Sequence, residues 1–185
     1  MNQDLMRDAE DHMDKSLDSL RRELATIRTG RANPEIIEHV QVDYYGQSMP
    51  LQQLASISVP EARQLVVQPY DRGSLGAIEK ALRQSELGFN PTNDGNIVRI
   101  NIPQLTEERR RDLVKVVHKR VEEAKVAVRN VRRDVNDQVK KMRKDKSVSE
   151  DEEKRALDQL QKVTDKMVRE AETIGQAKEQ EMLEV

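Results

Sequence analysis

"LATIRTGRANP", residues 24–34, breaks an apolar stripe within a few residues. Up to Ile27 the apolar spacing is helical; Arg28, Thr29, Gly30, Arg31 and Pro34 then interrupt it. Gly30 is able to take the left-handed conformation that closes a helix, and Pro34 biases Asn33 away from helical geometry. The stretch predicts a helix end, and leaves open why two arginines flank a glycine there.

On its N-terminal side Met6, Met13, Leu17, Leu20, Leu24 and Ile27 recur at steps of three, four and seven, the seam of a helix packed on other helices. On its C-terminal side the period changes. Val40, Val42 and Tyr44 alternate, Leu65–Val67 is a short apolar run, and Val98, Ile100 and Ile102 alternate with Arg99 and Asn101. These read as strands, bounded by turn signals in "YYGQSMP" and "NPTNDGN". One short helix, "LGAIEKALRQS" from Leu75 to Ser85, lies among them. All six prolines fall between Pro34 and Pro103.

The helical period then returns. Val117, Val121, Ala124, Val128, Val131, Val135, Val139 and Met142 form one stripe, with Thr106 placed as N-cap ahead of Glu107 and Glu108. Ser149 and Glu152 form a capping box before Leu160, Val163, Met167, Ala171 and Ile174. Three such stripes are able to bury one another, since helices gain most of their stability by covering an apolar face. The expected organisation is α+β: a discontinuous three-helix bundle from residues 1–30 and 105–185, an α/β domain inserted at 31–104, and elbows near 29–34 and 102–106. Paired crossings favour rotation and bending at the junction over free drift.

Composition narrows the classes. The 185 residues are 36% charged and only 2% aromatic, which favours an elongated molecule with a thin aliphatic core. With no cysteine, disulfides, thiolate metal sites and cysteine nucleophiles are excluded. Met1 to Glu10 carries acids and no long apolar run, so neither a secretory signal nor a membrane span is expected, and the chain reads as cytoplasmic.

The net charge of −2 hides a strong asymmetry: residues 106–146 carry +7 and residues 147–185 carry −5. Either the two segments neutralise each other as packed helices, or the basic one faces an outside polyanion. Lys125, Arg129, Arg132, Asn136, Lys140 and Arg143 follow at helical steps, displaced by one from the apolar seam. A solvated face with internal pairs such as Arg133 to Asp137 is the plainer reading. Most nearby acids, however, fall off this line, and forked guanidiniums suit an RNA backbone. No aromatic residue occurs in the three helical stretches, so structured RNA held through phosphates is favoured over single strands held by stacking.

The set "TIRTGRANP", "VDYYG", "LQQLASISV", "YDR", "AIEKAL", "LTEERRRDLVK", "VAVRNVRRDVND" and "KDKSVSEDE" resembles the bacterial ribosome recycling factor family, in order and over essentially the whole chain. The resemblance implies a three-helix bundle and a small β/α/β domain joined in an L, acting as a monomer. It implies binding to the post-termination 70S ribosome through large-subunit ribosomal RNA. Elongation factor G, with GTP, then acts on the small domain to split the subunits and release messenger RNA and deacylated transfer RNA. By matching motif positions, Arg129, Arg132, Arg133, Arg28 and Arg31 are the first RNA contacts, followed by Arg110 and Lys125. Gly30, Pro103, Gln104 and Leu105 would form the elbow, with Gln104 standing where many relatives have a second proline.

No enzyme is expected. His12, His39 and His118 are isolated and lack metal-ligand spacing, and no glycine-rich phosphate loop is present, so no catalytic residue, metal or cofactor is assigned. Asp71 and Arg72 read as an ordinary loop pair. The rival reading is a non-enzymatic coiled-coil adaptor whose apolar seams hold a partner helix.

Overall fold

The structure, a computed structural model, describes residues 2–183; Met1, Glu184 and Val185, which the expected domain limits include, lie outside it. The chain divides into two compact units: the stretch up to Ile27 with Arg111–Gln180, and Arg28–Arg110 with the helical residues from Glu181.

The first unit is built from three helices, α1 (Asn2–Ala25) and the greater part of two long ones that follow the small domain in the chain. Met6, Met13, Leu17, Leu20 and Leu24 of α1 are all buried, as the seven-residue spacing requires. The helix ends at Ala25, earlier than Gly30. Thr26 and Ile27 donate backbone bonds back to Glu23 and Leu24, and the Thr26 hydroxyl also bonds the Glu23 carbonyl at 2.7 Å. Gly30 does adopt a left-handed conformation, with φ of +80°, but five residues beyond the last helical one. Its role is steric: a Cβ there would meet Leu105 Cγ and Leu105 N at 3.3 Å each.

The second unit opens with a 3₁₀ turn at Pro34–Ile36, capped by the Asn33 side chain, whose backbone is extended. A hairpin of β1 (Gln41–Tyr44) and β2 (Gln47–Pro50) follows. Its two-residue turn, Tyr45 and Gly46, has φ of +50° and +84°, the mirror-image geometry that matches strand twist. A single helical turn, α2 (Leu51–Leu54), leads to β3 (Ala55–Glu61) and β4 (Gln64–Pro69). Next come α3 (Leu75–Gln84), β5 (Thr92–Asn93) and β6 (Val98–Asn101). Strands β3 to β6 make one antiparallel sheet in the order β3-β4-β6-β5.

The three strands expected from alternation are present; β2, β3 and β5 are additional. Strand β3 holds Pro60 beside a register shift between Ser58 and Glu61, and proline is tolerated there because β3 is an edge. Ile37, Val42, Leu51, Leu65, Val67, Ile78, Leu82, Val98 and Ile100 form the completely buried centre of this unit. The expected Asp71–Arg72 pair does not form. Asp71 instead accepts from Gly73 N, Tyr44 Oη and Tyr45 Oη, and Arg72 donates to Asn96. These bonds, the Gly73 amide first, hold the Asp71 carboxyl below its ordinary pKa.

The two long helices are α4 (Glu107–Lys144) and α5 (Glu150–Leu183). Thr106 caps α4 as expected, its hydroxyl accepting from Arg109 N at 3.1 Å. Ser149 and Glu152 exchange the reciprocal bonds of a capping box at 3.2 and 2.7 Å. Side-chain contacts give the directions: Glu10–Lys166 and Arg21–Glu170 run in the same sense along α1 and α5, whereas Lys125–Glu172 and His118–Glu179 run oppositely along α4 and α5. The bundle is thus up-down-up.

Candidate nucleic-acid interface

Helix α4 has 38 residues, roughly 57 Å at about 1.5 Å per residue. Val117, Val121, Ala124, Val128, Val135 and Val139 face the core, so residues one step along fall at the edge of the buried face. That edge runs beside α5: His118, Val121, Glu122 and Lys125 share a groove with Glu172, Gly175, Gln176 and Glu179. Gly175 permits this close approach, because a Cβ on it would lie 2.5 Å from Val121 Cγ2.

Along this edge the cations have different fates. Lys125 is spent internally. Its side chain is 12% exposed, and Nζ donates to Glu172 Oε1 at 2.7 Å and Glu122 Oε1 at 3.2 Å. The Glu172 bond raises the Lys125 pKa above its ordinary value against the opposing effect of burial, with Glu122 adding to the rise. Glu172 is lowered in turn, by the Lys125 hydrogen bond first and by the charges of Lys125 and Arg129 after it. Arg143, at the far end of the stripe, approaches Glu150 at 3.9 Å.

The middle of the stripe is open. Arg132 and Arg133 have no ion-pair or hydrogen-bond partner among the described residues, and the Arg133–Asp137 pair is not formed. Arg129 and Arg133 are exposed, Arg132 is half-buried, and Asn136 and Lys140 continue the line. Guanidiniums in this condition keep their forked donors for an external acceptor.

The remaining candidates belong to the second unit. Arg28 is engaged there: Nη1 donates to the Leu87 carbonyl at 2.8 Å, and the guanidinium carbon lies 5.3 Å from the Phe89 ring centroid. It fastens the loop after α3, a role the sequence gave no sign of. Arg31 is at the surface, whereas Arg110 is half-buried with Nε enclosed and lacking a hydrogen-bond partner. Gly30 is buried, Pro103 and Gln104 are exposed, and Leu105 packs on Gly30. The structure therefore brings Arg129, Arg132 and Arg133 together on one helix, with Lys125 beside them but neutralised.

Sequence reasoning passed over Glu172. The signal was available: Asp165, Glu172 and Glu179 recur every seven residues on α5, as His118, Lys125 and Arg132 do on α4. Among the described residues no cluster of metal-ligating side chains is found, and no helix is long and apolar enough to cross a membrane.

The fold and this edge define a helical-bundle factor with an inserted sheet domain, its prominent chemistry a row of guanidiniums rather than a set of reacting groups. The chain belongs to the ribosome recycling factor family, whose family model matches residues 20–183. It is 54% identical to the ribosome-recycling factor of Carboxydothermus hydrogenoformans and 55% identical to that of Thermomicrobium roseum, each over the full length of both chains. A solution structure of the ribosome recycling factor superposes with a TM-score of 0.78 at 46% identity, covering 100% of this chain and 98% of that one. A second structure, of the T. thermophilus ribosome recycling factor and the E. coli elongation factor G bound to the E. coli post-termination complex, matches with a TM-score of 0.68 at 49% identity, covering 99% of each chain.

Proposed function

We propose that this protein is a translation factor that binds the post-termination ribosome in the cytoplasm and, with elongation factor G and GTP, promotes subunit splitting. Messenger RNA and deacylated transfer RNA are thereby freed for another round of synthesis. It makes and breaks no covalent bond, and nucleotide hydrolysis belongs to its partner. Arg132 and Arg133, open cations on a stripe whose Lys125 and Arg143 are paired with acids of the bundle, carry the reading that α4 is the arm held by ribosomal RNA phosphates. Arg129 joins them; Arg31 and Arg110 are assigned supporting contacts.

The bundle supplies stiffness and the charged edge supplies grip, so force applied by elongation factor G to the second unit has an anchored lever to work against. The crossings around Gly30 and Pro103–Leu105 are assigned as the elbow. Supporting this, only a residue without a side chain fits between the crossings at Gly30 without pressing on Leu105. The adaptor reading loses its basis because the apolar seams of all three long helices are already buried within this one chain.

The experiment is conversion of purified post-termination ribosomes to subunits with elongation factor G and GTP, with and without this protein. Wild type should stimulate splitting, and Arg132→Glu should abolish binding while helicity is unchanged. No stimulation by wild type over elongation factor G alone would overturn the assignment.

A further inference from the structure

The chain passes from the first unit to the second between two neighbouring residues, Ile27 and Arg28. Ile27 still belongs to the end of α1, since its N–H donates to the Leu24 carbonyl at 3.1 Å. Arg28 is already fastened to the second unit, and by its side chain. Nη1 donates to the Leu87 carbonyl at 2.8 Å, and the guanidinium carbon stands 5.3 Å from the Phe89 ring centroid. Gly88, with φ of +67°, turns the chain between that carbonyl and that ring.

The anchor is the core of the sheet domain rather than a loose loop, because Phe89 is buried in the same cluster as Ile78, Leu82 and Ile100. The next backbone bond from this crossing to the sheet is Ala32 N to Ala62 O at 2.7 Å, four residues on. Thr29, between them, is tied at 3.2 Å to Glu181 of α5 and not to the sheet. On the return crossing Ile102 N donates to the neighbouring carbonyl, Arg63 O, at 2.8 Å, and Ile102 is itself part of the core cluster. Without the Arg28 anchor, four more residues of the first crossing, up to about 14 Å of chain, precede its hold on the sheet.

We propose that Arg28 is a positioning residue for subunit splitting: it fastens the first crossing to the core of the second unit, so that displacement of that unit by elongation factor G is delivered to α1 instead of being taken up by slack chain. This rests on the proposed function, in which elongation factor G acts on the second unit and the crossings form the elbow. A guanidinium suits the task, because its flat face covers a ring while its edge donates to a carbonyl. The grip of α4 on RNA does not pass through this contact, so loss of Arg28 separates splitting from binding. An RNA contact by Arg28 would show instead in the salt dependence of binding.

The test compares full-length wild type, Arg28→Gln and Phe89→Leu in two assays. One is cosedimentation with purified 70S ribosomes over a range of potassium chloride concentrations. The other is the rate at which elongation factor G and GTP split post-termination ribosomes as each protein is raised to saturation. Arg28→Gln should bind with wild-type affinity and salt slope, while its maximal splitting rate falls about five-fold or more, for the loss of a charged hydrogen bond and a cation–π contact. Phe89→Leu should also bind as wild type does and lose about two-fold in maximal rate. Circular dichroism checks folding; if Arg28→Gln is unfolded, Phe89→Leu, which keeps an apolar side chain in the core, decides the matter. A maximal rate for Arg28→Gln equal to that of wild type overturns the proposal. So does weaker Arg28→Gln binding with a salt slope flattened by about one unit, the mark of a phosphate contact, or a Phe89→Leu variant that splits as fast as wild type. If wild type gives no stimulation, the proposed function itself fails; if wild type stimulates splitting and Arg28→Gln keeps pace with it, only the role of Arg28 does.

Discussion

Replacing Gly175 by alanine tests whether the α4–α5 contact is as close as described. The new Cβ would stand 2.5 Å from Val121 Cγ2 and 3.8 Å from Val117 Cγ1, whereas carbon atoms in contact keep about 3.5–4.0 Å. Val121 is 7% exposed and cannot swing aside readily, because a β-branched side chain in a helix has one preferred rotamer. The helices must part locally, at a cost of about 1–3 kcal/mol for overpacking. Against this, alanine is better than glycine inside a helix by about 1 kcal/mol. The expected net loss is about 1 kcal/mol. In a Val121→Ala background the obstruction is gone, and the same substitution should then stabilise by up to about 1 kcal/mol. Urea unfolding followed by helical circular dichroism, on wild type, both single variants and the double variant, measures the coupling. A Gly175→Ala effect that is stabilising in wild type, or identical in both backgrounds, would refute the close approach.

Removing the neutralised rung whole, by Lys125→Met with Glu172→Gln, should cost no ribosome affinity, whereas Arg132→Ala should lose about ten-fold or more, as for a hydrogen bond to a charged group; cosedimentation reads both. Glu172 has its folded pKa lowered from 4.5, so its contribution to stability is present above the unfolded value and is lost as pH falls through the folded one. Glu172→Gln should therefore flatten the acid side of the stability profile relative to wild type, measured by urea midpoints from neutral pH downward. Ser149→Ala removes the hydroxyl that accepts from Glu152 N, and should cost the bundle about 1 kcal/mol in the same unfolding assay.

The helices were legible because their determinants are local and periodic. Met13, Leu17 and Leu20, or Val117, Val121 and Val128, declare a buried face by spacing alone, and Thr106 and Ser149 declare their caps by residue type. The sheet was legible only in its central strands, where both neighbours demand alternation. Edge strand β3 has a largely exposed face and a proline, and β5 has two residues, so neither has a periodic signal to detect. Arg28 was misleading in the same way. Its motif sits among basic residues at a helix end, and nothing local indicates that Phe89, some sixty positions away, lies beneath its guanidinium.

Sequence by itself determined that three amphipathic helices and an interposed sheet domain would form, that cations concentrate on the second long helix, and which family the chain resembles. Those properties follow from side-chain type and spacing within single elements. Which cations are available was decided by tertiary structure alone. Lys125 and Arg132 are equivalent members of one stripe until α5 is laid antiparallel beside them, close enough at Gly175 for Glu172 to claim the lysine. Charge is a property of a residue, but its neutralisation is a property of a distance, and that distance exists only once the helices have packed.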